Sequence, residues 1–174
     1  MQRLTVLALA VLLGGCALRA DPGAGDTDGI AVVTHPVDGD TIEVRIGNLI
    51  ERVRLIGIDT PESVARDRPV ECFGVEAKER MAELLPAGTE VRLERDVEAR
   101  DKYGRLLAYV FRTADGTHIN LLMVQEGFAE ARAFAPNAAR QGELDQAENA
   151  ARADGRGLWP VCGGTNVVVG PPPG

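Results

Sequence analysis

Three stretches early in the chain have the patterns of β-strands. Residues 30–34 are apolar and mostly β-branched, whereas Thr41–Ile46 alternates strictly between apolar and polar positions, as a strand with one buried face does. Asp-Gly-Asp at 38–40 makes a turn between them, and Gly-Asn at 47–48 leads into a third stretch that ends at Asp59. The pattern predicts three consecutive antiparallel strands joined as a meander.

Helical spacing of apolar residues follows this meander. Phe73, Ala77, Met81, Leu84 and Leu85 recur among charged positions, and Pro-Ala-Gly at 86–88 ends the pattern. An amphipathic helix that covers one end of the sheet is therefore predicted.

The second half of the domain predicts two more strands and two more helices. Residues 89–95 alternate again, and 105–111 form a further strand after a turn at 101–104. Ile119–Gln125 is predicted as a short helix, and a longer helix is predicted from a cap at Asn137 to Gly155. Five strands with a helix between the third and fourth are typical of an OB-fold, so the expected fold is α+β, mainly β: a five-stranded OB-fold barrel with about three helices.

The chain begins with the pattern of an exported protein. Residues 1–15 carry one charge, Arg3, and an apolar run too short to span a membrane, which predicts a signal peptide. Leu-Gly-Gly-Cys at 13–16 resembles the bacterial lipobox, in which Cys16 is lipid-modified and becomes the amino terminus; a plain secretory signal is the alternative. We expect a protein anchored by lipid to a bacterial membrane and facing the periplasm or cell surface.

Composition predicts the remaining boundaries. Residues 16–29 are rich in Gly, Asp and Ala, typical of a flexible tether, and 163–174 are rich in Gly and Pro, which predicts a disordered tail. The folded domain is expected over 30–162. Once Cys16 is lipidated, Cys72 and Cys162 are the remaining pair of an exported chain, and we expect them to form a disulfide; two free buried thiols are the alternative.

The charge balance limits the possible functions. The chain has 19 basic and 26 acidic residues, and loss of Arg3 with the leader leaves a net charge of −8. Such a balance argues against a tight, sequence-blind nucleic-acid coat protein. It is compatible with an enzyme whose positive potential is local and is supplied partly by a metal.

One charged turn stands out at the end of the third predicted strand. The segment 54–62 reads Arg-Leu-Ile-Gly-Ile-Asp-Thr-Pro-Glu. Alternation directs Arg54 to a surface rather than the core, and Pro61 restrains the turn that carries Asp59 and Glu62. An ordinary exposed strand end is the alternative for this stretch alone.

Four motifs in order carry a family resemblance. Asp-Gly-Asp-Thr at 38–41, the segment 54–62, Asp-Lys-Tyr-Gly-Arg at 101–105 and Gly-Leu-Trp at 157–159 resemble the staphylococcal-nuclease (thermonuclease) family over about 30–162. The resemblance implies an OB-fold phosphodiesterase of low sequence specificity. Such an enzyme uses calcium to cleave DNA and RNA and leaves 3′-phosphate ends.

The resemblance also implies residue roles. Asp40 and Asp59, with the backbone carbonyl of Thr60, would bind calcium, which prefers hard oxygen ligands. Glu62 would be the general base, and His35 and His118 stand beside no plausible nucleophile. The remaining implied roles are phosphate binding by Arg54 and Arg105 and substrate contacts by Lys102 and Tyr103.

The chain departs from the family in one segment. Glu-Ala-Arg-Ala-Phe at 130–134 stands where the family carries tyrosines, so weaker base stacking and weaker substrate affinity are predicted. We expect a monomer that acts on single-stranded DNA and RNA. The alternatives are a non-catalytic nucleic-acid or protein binding module on the same fold and a calcium-stabilised structural lipoprotein.

Overall fold

The computed structural model describes residues 29–63 and 70–168. The predicted signal peptide, Cys16 and nearly all of the predicted tether lie outside the described residues. Within the described ranges, no helix combines the length and the apolar character that a membrane span requires.

Five strands close into a barrel, as the sequence predicts. The seven strands of the described part are β1 (Ile30–Pro36), β2 (Thr41–Ile46), β3 (Leu49–Leu55), β4 (Ile58–Asp59), β5 (Glu90–Glu94), β6 (Leu106–Arg112) and β7 (Glu130–Ala131). The barrel order is β1-β2-β3-β6-β5, with β1 also paired to β5. The β3–β6 pairing is parallel, and the other barrel pairings are antiparallel. The predicted OB-type barrel is therefore confirmed.

The described part contains four helices rather than about three. They are α1 (Gly74–Leu84), α2 (Ile119–Gln125), α3 (Gln141–Ala153) and α4 (Leu158–Cys162). The predicted cap at Asn137 is wrong, because α3 begins after Arg140 with no side-chain cap. The Asn137 amide instead accepts from the backbone N–H of Glu98 at 2.7 Å and donates to its carbonyl at 3.0 Å. This pair of bonds ties the segment before α3 to the loop after β5.

The inward positions of the strands form the core. Ile42, Val44, Val53 and Val91 are fully buried, and they alternate with polar or exposed neighbours. This is the period-two pattern of a sheet with one apolar face. Helix α1 adds Met81 and its neighbours to the same core. Burial of these side chains supplies the main stabilisation of the barrel.

The third predicted strand ends earlier than expected, and this break positions the site. Strand β3 stops at Leu55, while Ile58–Asp59 pairs with β7 in a separate two-stranded sheet. Gly57, at a φ of 78°, makes the transition, and a Cβ there would collide with the Leu144 side chain. A left-handed backbone and this close packing both require glycine. The chain therefore leaves the barrel immediately before Asp59.

The side-chain amide of Asn120 binds the backbone where the chain leaves the barrel. Asn120 on α2 is fully buried, accepts from the N–H of Val110 at 2.9 Å and donates to the carbonyl of Ile56 at 2.9 Å. Satisfied buried polar groups of this kind favour one backbone arrangement over its competitors. Asn120 thus links β6 to the end of β3.

The disulfide orders part of the expected tail. Cys72 and Cys162 are joined, as the sequence predicts, with their Cα atoms 5.9 Å apart. Residues 163–168, which the sequence assigns to a disordered tail, lie instead against the start of α1. The N–H of Cys72 donates to the Val167 carbonyl at 2.7 Å, and the N–H of Thr165 donates to the Glu130 carboxylate at 2.7 Å. The covalent link holds this glycine-rich segment close to both partners.

Candidate active site

The Asp38–Asp40 turn places one carboxylate against the end of β3. The N–H of Asp40 donates to Asp38 Oδ1 at 3.0 Å, and the Asp40 carbonyl accepts from the N–H of Leu55 at 2.9 Å. A Cβ at Gly39 would lie 2.8 Å from Thr60 Oγ1. Glycine therefore lets the turn approach Thr60, and Asp40 is buried as a result.

Two carboxylates share one nitrogen of Arg54, and we call Asp40, Arg54 and Asp59 the carboxylate cluster. Arg54 Nη2 lies 2.9 Å from Asp40 Oδ2 and 3.1 Å from Asp59 Oδ1. Its Nη1 donates to the carbonyls of Leu55 at 2.8 Å and Ile58 at 2.9 Å. The side chain is only 12% exposed, so Arg54 lies on the outer face of its strand, as alternation predicts, but is largely covered. Because β3 ends at Leu55, the carbonyls of Leu55 and Ile58 both turn towards the Arg54 guanidinium.

Burial opposes ionisation of both carboxylates of the cluster more strongly than their arginine partners favour it. Burial raises the pKa of Asp40 to about 6, and the charge of Asp38 adds to the rise, although Arg54 and the Thr60 N–H oppose it. Burial also raises the pKa of Asp59 above its ordinary value, against the opposing effects of Arg54 and Arg132. Desolvated carboxylates that keep raised pKa values beside an arginine are characteristic of functional sites.

The cluster fits a hard divalent cation. Asp40 and Asp59 approach the same nitrogen atom of Arg54, so both carboxylates face one point. Thr60 lies beside them, since its N–H donates to Asp40 Oδ2 at 3.1 Å. The described residues contain no group of three or more acidic, His or Cys side chains suited to a metal. Calcium takes six to eight oxygen ligands, so an ion held here would need oxygens beyond those of these residues.

Glu62 is exposed on a firmly held backbone. Its carbonyl accepts from the N–H of Glu71 at 3.0 Å, and its N–H donates to the Glu71 carboxylate at 3.1 Å. A Cβ at Gly74 would overlap the Glu62 carbonyl, so the start of α1 packs directly on this backbone. The side chain is thereby presented three residues beyond Asp59.

The loop between β5 and β6 forms the opposite wall. Asp101 Oδ1 accepts from the N–H groups of Tyr103 and Arg105, each at 2.9 Å, and Asp101 Oδ2 accepts from Arg105 Nε at 2.7 Å. Within the described ranges, no ion pair engages the two terminal nitrogens of Arg105. The Tyr103 ring is 72% exposed and lies 5.0 Å from Lys102 Nζ. Asp101 thus orients Arg105 and leaves its bidentate edge available.

A cleft of about 420 Å³ lies between these walls. Its lining includes Arg54, Lys102, Tyr103 and Arg105, so four residues singled out by the sequence share one cavity. Asp40 and Asp59 reach it through Arg54, and Glu62 is not among its lining residues. Arginines on two walls can bind an anionic group between them.

The segment that departs from the family also reaches this site. Arg132, about half exposed, forms an ion pair with Asp59, and Phe134 lines the cleft with its ring 5.8 Å from the Arg54 guanidinium. The pairing of β4 with β7 brings both residues here. No local sequence pattern indicates this contact. The exposed ring of Phe134 offers an aromatic surface where sequence reasoning expected little to replace the missing tyrosines.

Comparison with known proteins agrees with this geometry. A family model described as "Staphylococcal nuclease homologue" matches residues 52–161. The thermonuclease of Staphylococcus intermedius is 38% identical over 128 residues, which is 74% of each chain. The thermonuclease of Staphylococcus hyicus is 36% identical over 127 residues, or 73% of each chain. Endonuclease YncB of Bacillus subtilis (strain 168) is 36% identical over 129 residues, which is 73% of this chain and 60% of that protein.

The matches and the fold point the same way. The family model spans the turn with Asp59, the Arg105 wall and α3, and the relatives cover most of the folded domain. The chain belongs to the staphylococcal nuclease family.

Proposed function

We propose that this protein is a calcium-dependent phosphodiesterase that hydrolyses DNA and RNA with low sequence specificity and leaves 3′-phosphate ends. The observation that carries the proposal is the carboxylate cluster, in which the buried Asp40 and the partly buried Asp59 share one arginine beside an arginine-lined cleft. The family membership supports the same reading.

Asp40, Asp59 and the Thr60 carbonyl would hold the calcium ion. Bound there, calcium would offset the carboxylate charge and polarise a phosphate oxygen. Asp40 is already oriented for this role, because Thr41 Oγ1 donates to its Oδ1 at 3.0 Å and the Thr60 N–H donates to its Oδ2. With only two carboxylates, the site would bind calcium weakly until substrate adds its own oxygens.

Arg54 and Arg105 would bind the phosphate from two sides. Attack of water on phosphorus increases the charge on the phosphate oxygens, and a planar guanidinium can contact two of them at once. Each such contact contributes about 3 kcal/mol when it strengthens in the transition state. Asp101 holds Arg105 through Nε, which reduces the entropy lost when the terminal nitrogens bind.

Glu62 would accept the proton of the attacking water. The water oxygen forms a bond to phosphorus, the bond from phosphorus to the 5′ oxygen breaks, and that oxygen leaves as a hydroxyl after taking a proton from solvent, to which Glu62 returns its own. The new phosphate stays on the 3′ oxygen. The rigid backbone at Glu62 supports this role, because a base must be held in place to contribute its expected factor of about 10² to 10⁴ in rate.

Lys102 and Tyr103 would contact the phosphate and the sugar or base of the strand. The open cleft and the exposed rings of Tyr103 and Phe134 support a substrate whose bases are unpaired. Single-stranded DNA and RNA should therefore be cleaved faster than duplex DNA.

We further propose that the enzyme acts outside the cytoplasm as a monomer, anchored through lipid on Cys16. The support is the leader pattern in the sequence and the disulfide between Cys72 and Cys162, which is typical of exported proteins. A cleft built from one chain needs no second copy.

Digestion assays test this proposal. Purified residues 17–174 should cleave single-stranded DNA, RNA and plasmid in calcium, fastest on single strands, and should be inactive in chelator. Mass spectrometry of the fragments should find 3′-phosphate ends. Binding without cleavage in saturating calcium would favour a binding module instead, and equal rates on duplex and single strands would refute the strand preference.

A further inference from the structure

A second concavity lies next to the cleft. It measures about 460 Å³ and is lined by Arg52, Tyr103, Gly104 and Arg105. The two cavities share Tyr103 and Arg105, but Arg52 takes the place that Arg54 has in the cleft. A polymer that occupies the cleft can continue past the exposed Tyr103 ring into this second space.

The strand register explains how Arg52 reaches this position. Arg52 and Arg54 are two residues apart on β3, so they share a face and their Cα atoms are about 7 Å apart. Val53 between them is buried in the barrel. Strand β6 runs parallel to β3, with Val53 opposite Leu106. Arg105 comes immediately before Leu106, as Arg52 comes immediately before Val53. Arg105, immediately before β6, therefore lies near Arg52, and both line the second concavity.

Arg52 is exposed, and no ion pair engages it within the described ranges. Its register partner on β2 is Glu43, whose carboxylate accepts from Thr34 Oγ1 at 2.8 Å and lies 3.4 Å from His35 Nδ1. Glu51, the residue before Arg52, binds Arg100 at 2.8 and 3.0 Å. Both neighbouring acids, Glu43 and Glu51, therefore have other partners. On a chain of net charge −7, an arginine without an ion pair beside a cavity is a local positive centre.

We propose that this concavity is a second nucleotide subsite, in which Arg52 binds the phosphate next to the one being cleaved and Tyr103 supports the nucleoside between them. The inference rests on the proposed function of the cleft. Its ligand class is a single-stranded oligonucleotide rather than a single nucleotide. The enzyme should therefore prefer substrates long enough to reach both cavities.

Salt-dependent binding tests the subsite without catalysis. Arg52→Gln is compared with Arg156→Gln, a matched control that removes one exposed charge paired with Asp154 beyond α3. Binding of a fluorescent ten-residue oligothymidylate is measured in chelator by anisotropy at several salt concentrations. Loss of one phosphate contact should reduce the slope of log K against log salt by about 0.7 and weaken binding about tenfold. Arg156→Gln should keep the wild-type slope.

Substrate length supplies an independent readout. In calcium, Arg52→Gln should lose about tenfold more kcat/KM on the decanucleotide than on a dinucleotide, since only the longer chain reaches the subsite. Thermal unfolding of both variants checks that the fold is intact. An equal loss on both lengths would overturn the proposal.

The two proposals fail in different ways. A reduced salt slope in Arg52→Gln supports the subsite even if wild-type protein cleaves nothing, which would refute the phosphodiesterase. Cleavage by wild type with the same salt slope in Arg52→Gln refutes the subsite alone. No measurable binding of the oligothymidylate by wild-type protein also refutes the subsite.

Discussion

Two charged clusters on this barrel both pair acids with arginines but differ in how far the acids are buried. In the carboxylate cluster, Asp40 is buried and Asp59 is partly buried around a shared arginine. The second, which we call the aromatic cluster, consists of Arg92, Glu94, Phe111, His118 and Arg140. There Arg92 lies 4.2 Å and Arg140 5.2 Å from the Phe111 ring, and Arg140 binds Glu94 at 2.6 and 2.9 Å.

The pKa values of the acids shift in opposite directions in the two clusters. Partial burial opposes ionisation of Glu94, but hydrogen bonds from Arg140 and Arg92 outweigh it and hold the pKa of Glu94 below its ordinary value. In the carboxylate cluster, burial prevails and the pKa values of Asp40 and Asp59 are raised. Where hydrogen bonds from arginines outweigh burial, an acid stays ionised and stabilises the fold, whereas carboxylates that burial keeps harder to ionise gain from a bound cation.

The largest expected effect is a loss of activity, which a substitution beside the carboxylate cluster should cause and one beside the aromatic cluster should not. Glu62→Gln, beside the carboxylate cluster, should lower kcat by about 10² or more, because the proton acceptor is lost while size and hydrogen bonding are kept. The calcium concentration for half-maximal activity should change little. Glu143→Gln, which removes an acid 3.6 Å from His118, is the matched control and should keep kcat. Steady-state kinetics at saturating calcium measure both. A near wild-type kcat in Glu62→Gln would exclude it as the base.

The next effect concerns stability in acid. His118 is 9% exposed and stacks on Phe111 with ring centroids 4.6 Å apart. Burial lowers its pKa from 6.5 to about 4, although Glu143 opposes the shift. Between these pH values the unfolded chain binds a proton that the folded protein does not, so the free energy of unfolding falls as pH decreases through this window. The loss should reach about 2 to 3 kcal/mol near pH 4.

A variant isolates that contribution. His118→Phe keeps a ring against Phe111 but cannot take up a proton. Urea unfolding at pH 7 and pH 4.5 should therefore show a smaller acid-induced loss in the variant than in wild type. The groups that face His118 (Arg92, Glu94, Arg140 and Glu143) are common to both proteins, so their titration largely cancels. Identical losses would show that His118 does not control this range.

The smallest expected effect is a change in the free energy of unfolding that has opposite signs in the two clusters. Asp40→Asn should stabilise the metal-free protein by about 1 kcal/mol, because it removes a buried charge that competes with Asp59 for Arg54. The new amide can donate to Thr41 Oγ1 and still accept from the Thr60 N–H. Glu94→Gln should cost about 0.5 to 1 kcal/mol, since its ion pairs are partly exposed.

Urea unfolding in chelator measures these signs, and a calcium titration of activity completes the comparison. Asp40→Asn should need more calcium for half-maximal activity, whereas Glu94→Gln should not. If both substitutions destabilised the protein equally, the contrast in burial of the acids would be wrong.

Much of the fold was predictable from local patterns. Period-two alternation identified β2 and β5, an apolar β-branched run indicated β1, and helical spacing identified α1. Alternation and helical spacing are readable because each reflects one buried face of one element. The residues of the cleft were also predictable, since Arg54 lies within one short motif and Lys102, Tyr103 and Arg105 lie within another. The disulfide between Cys72 and Cys162 was predictable because they are the two cysteines that remain beyond the expected leader.

Contacts between distant segments were decided only by the tertiary structure. Asparagine often caps helices, but the fold brings Asn137 next to Glu98, and the backbone N–H and carbonyl of Glu98 bind its amide instead. Arg132 meets Asp59 across 73 residues through the β4–β7 pair, and Arg54 is enclosed because the chain leaves the barrel at Gly57. A sequence pattern records which face of an element is apolar, whereas a polar side chain takes its partner from whatever the folded chain brings within hydrogen-bonding distance.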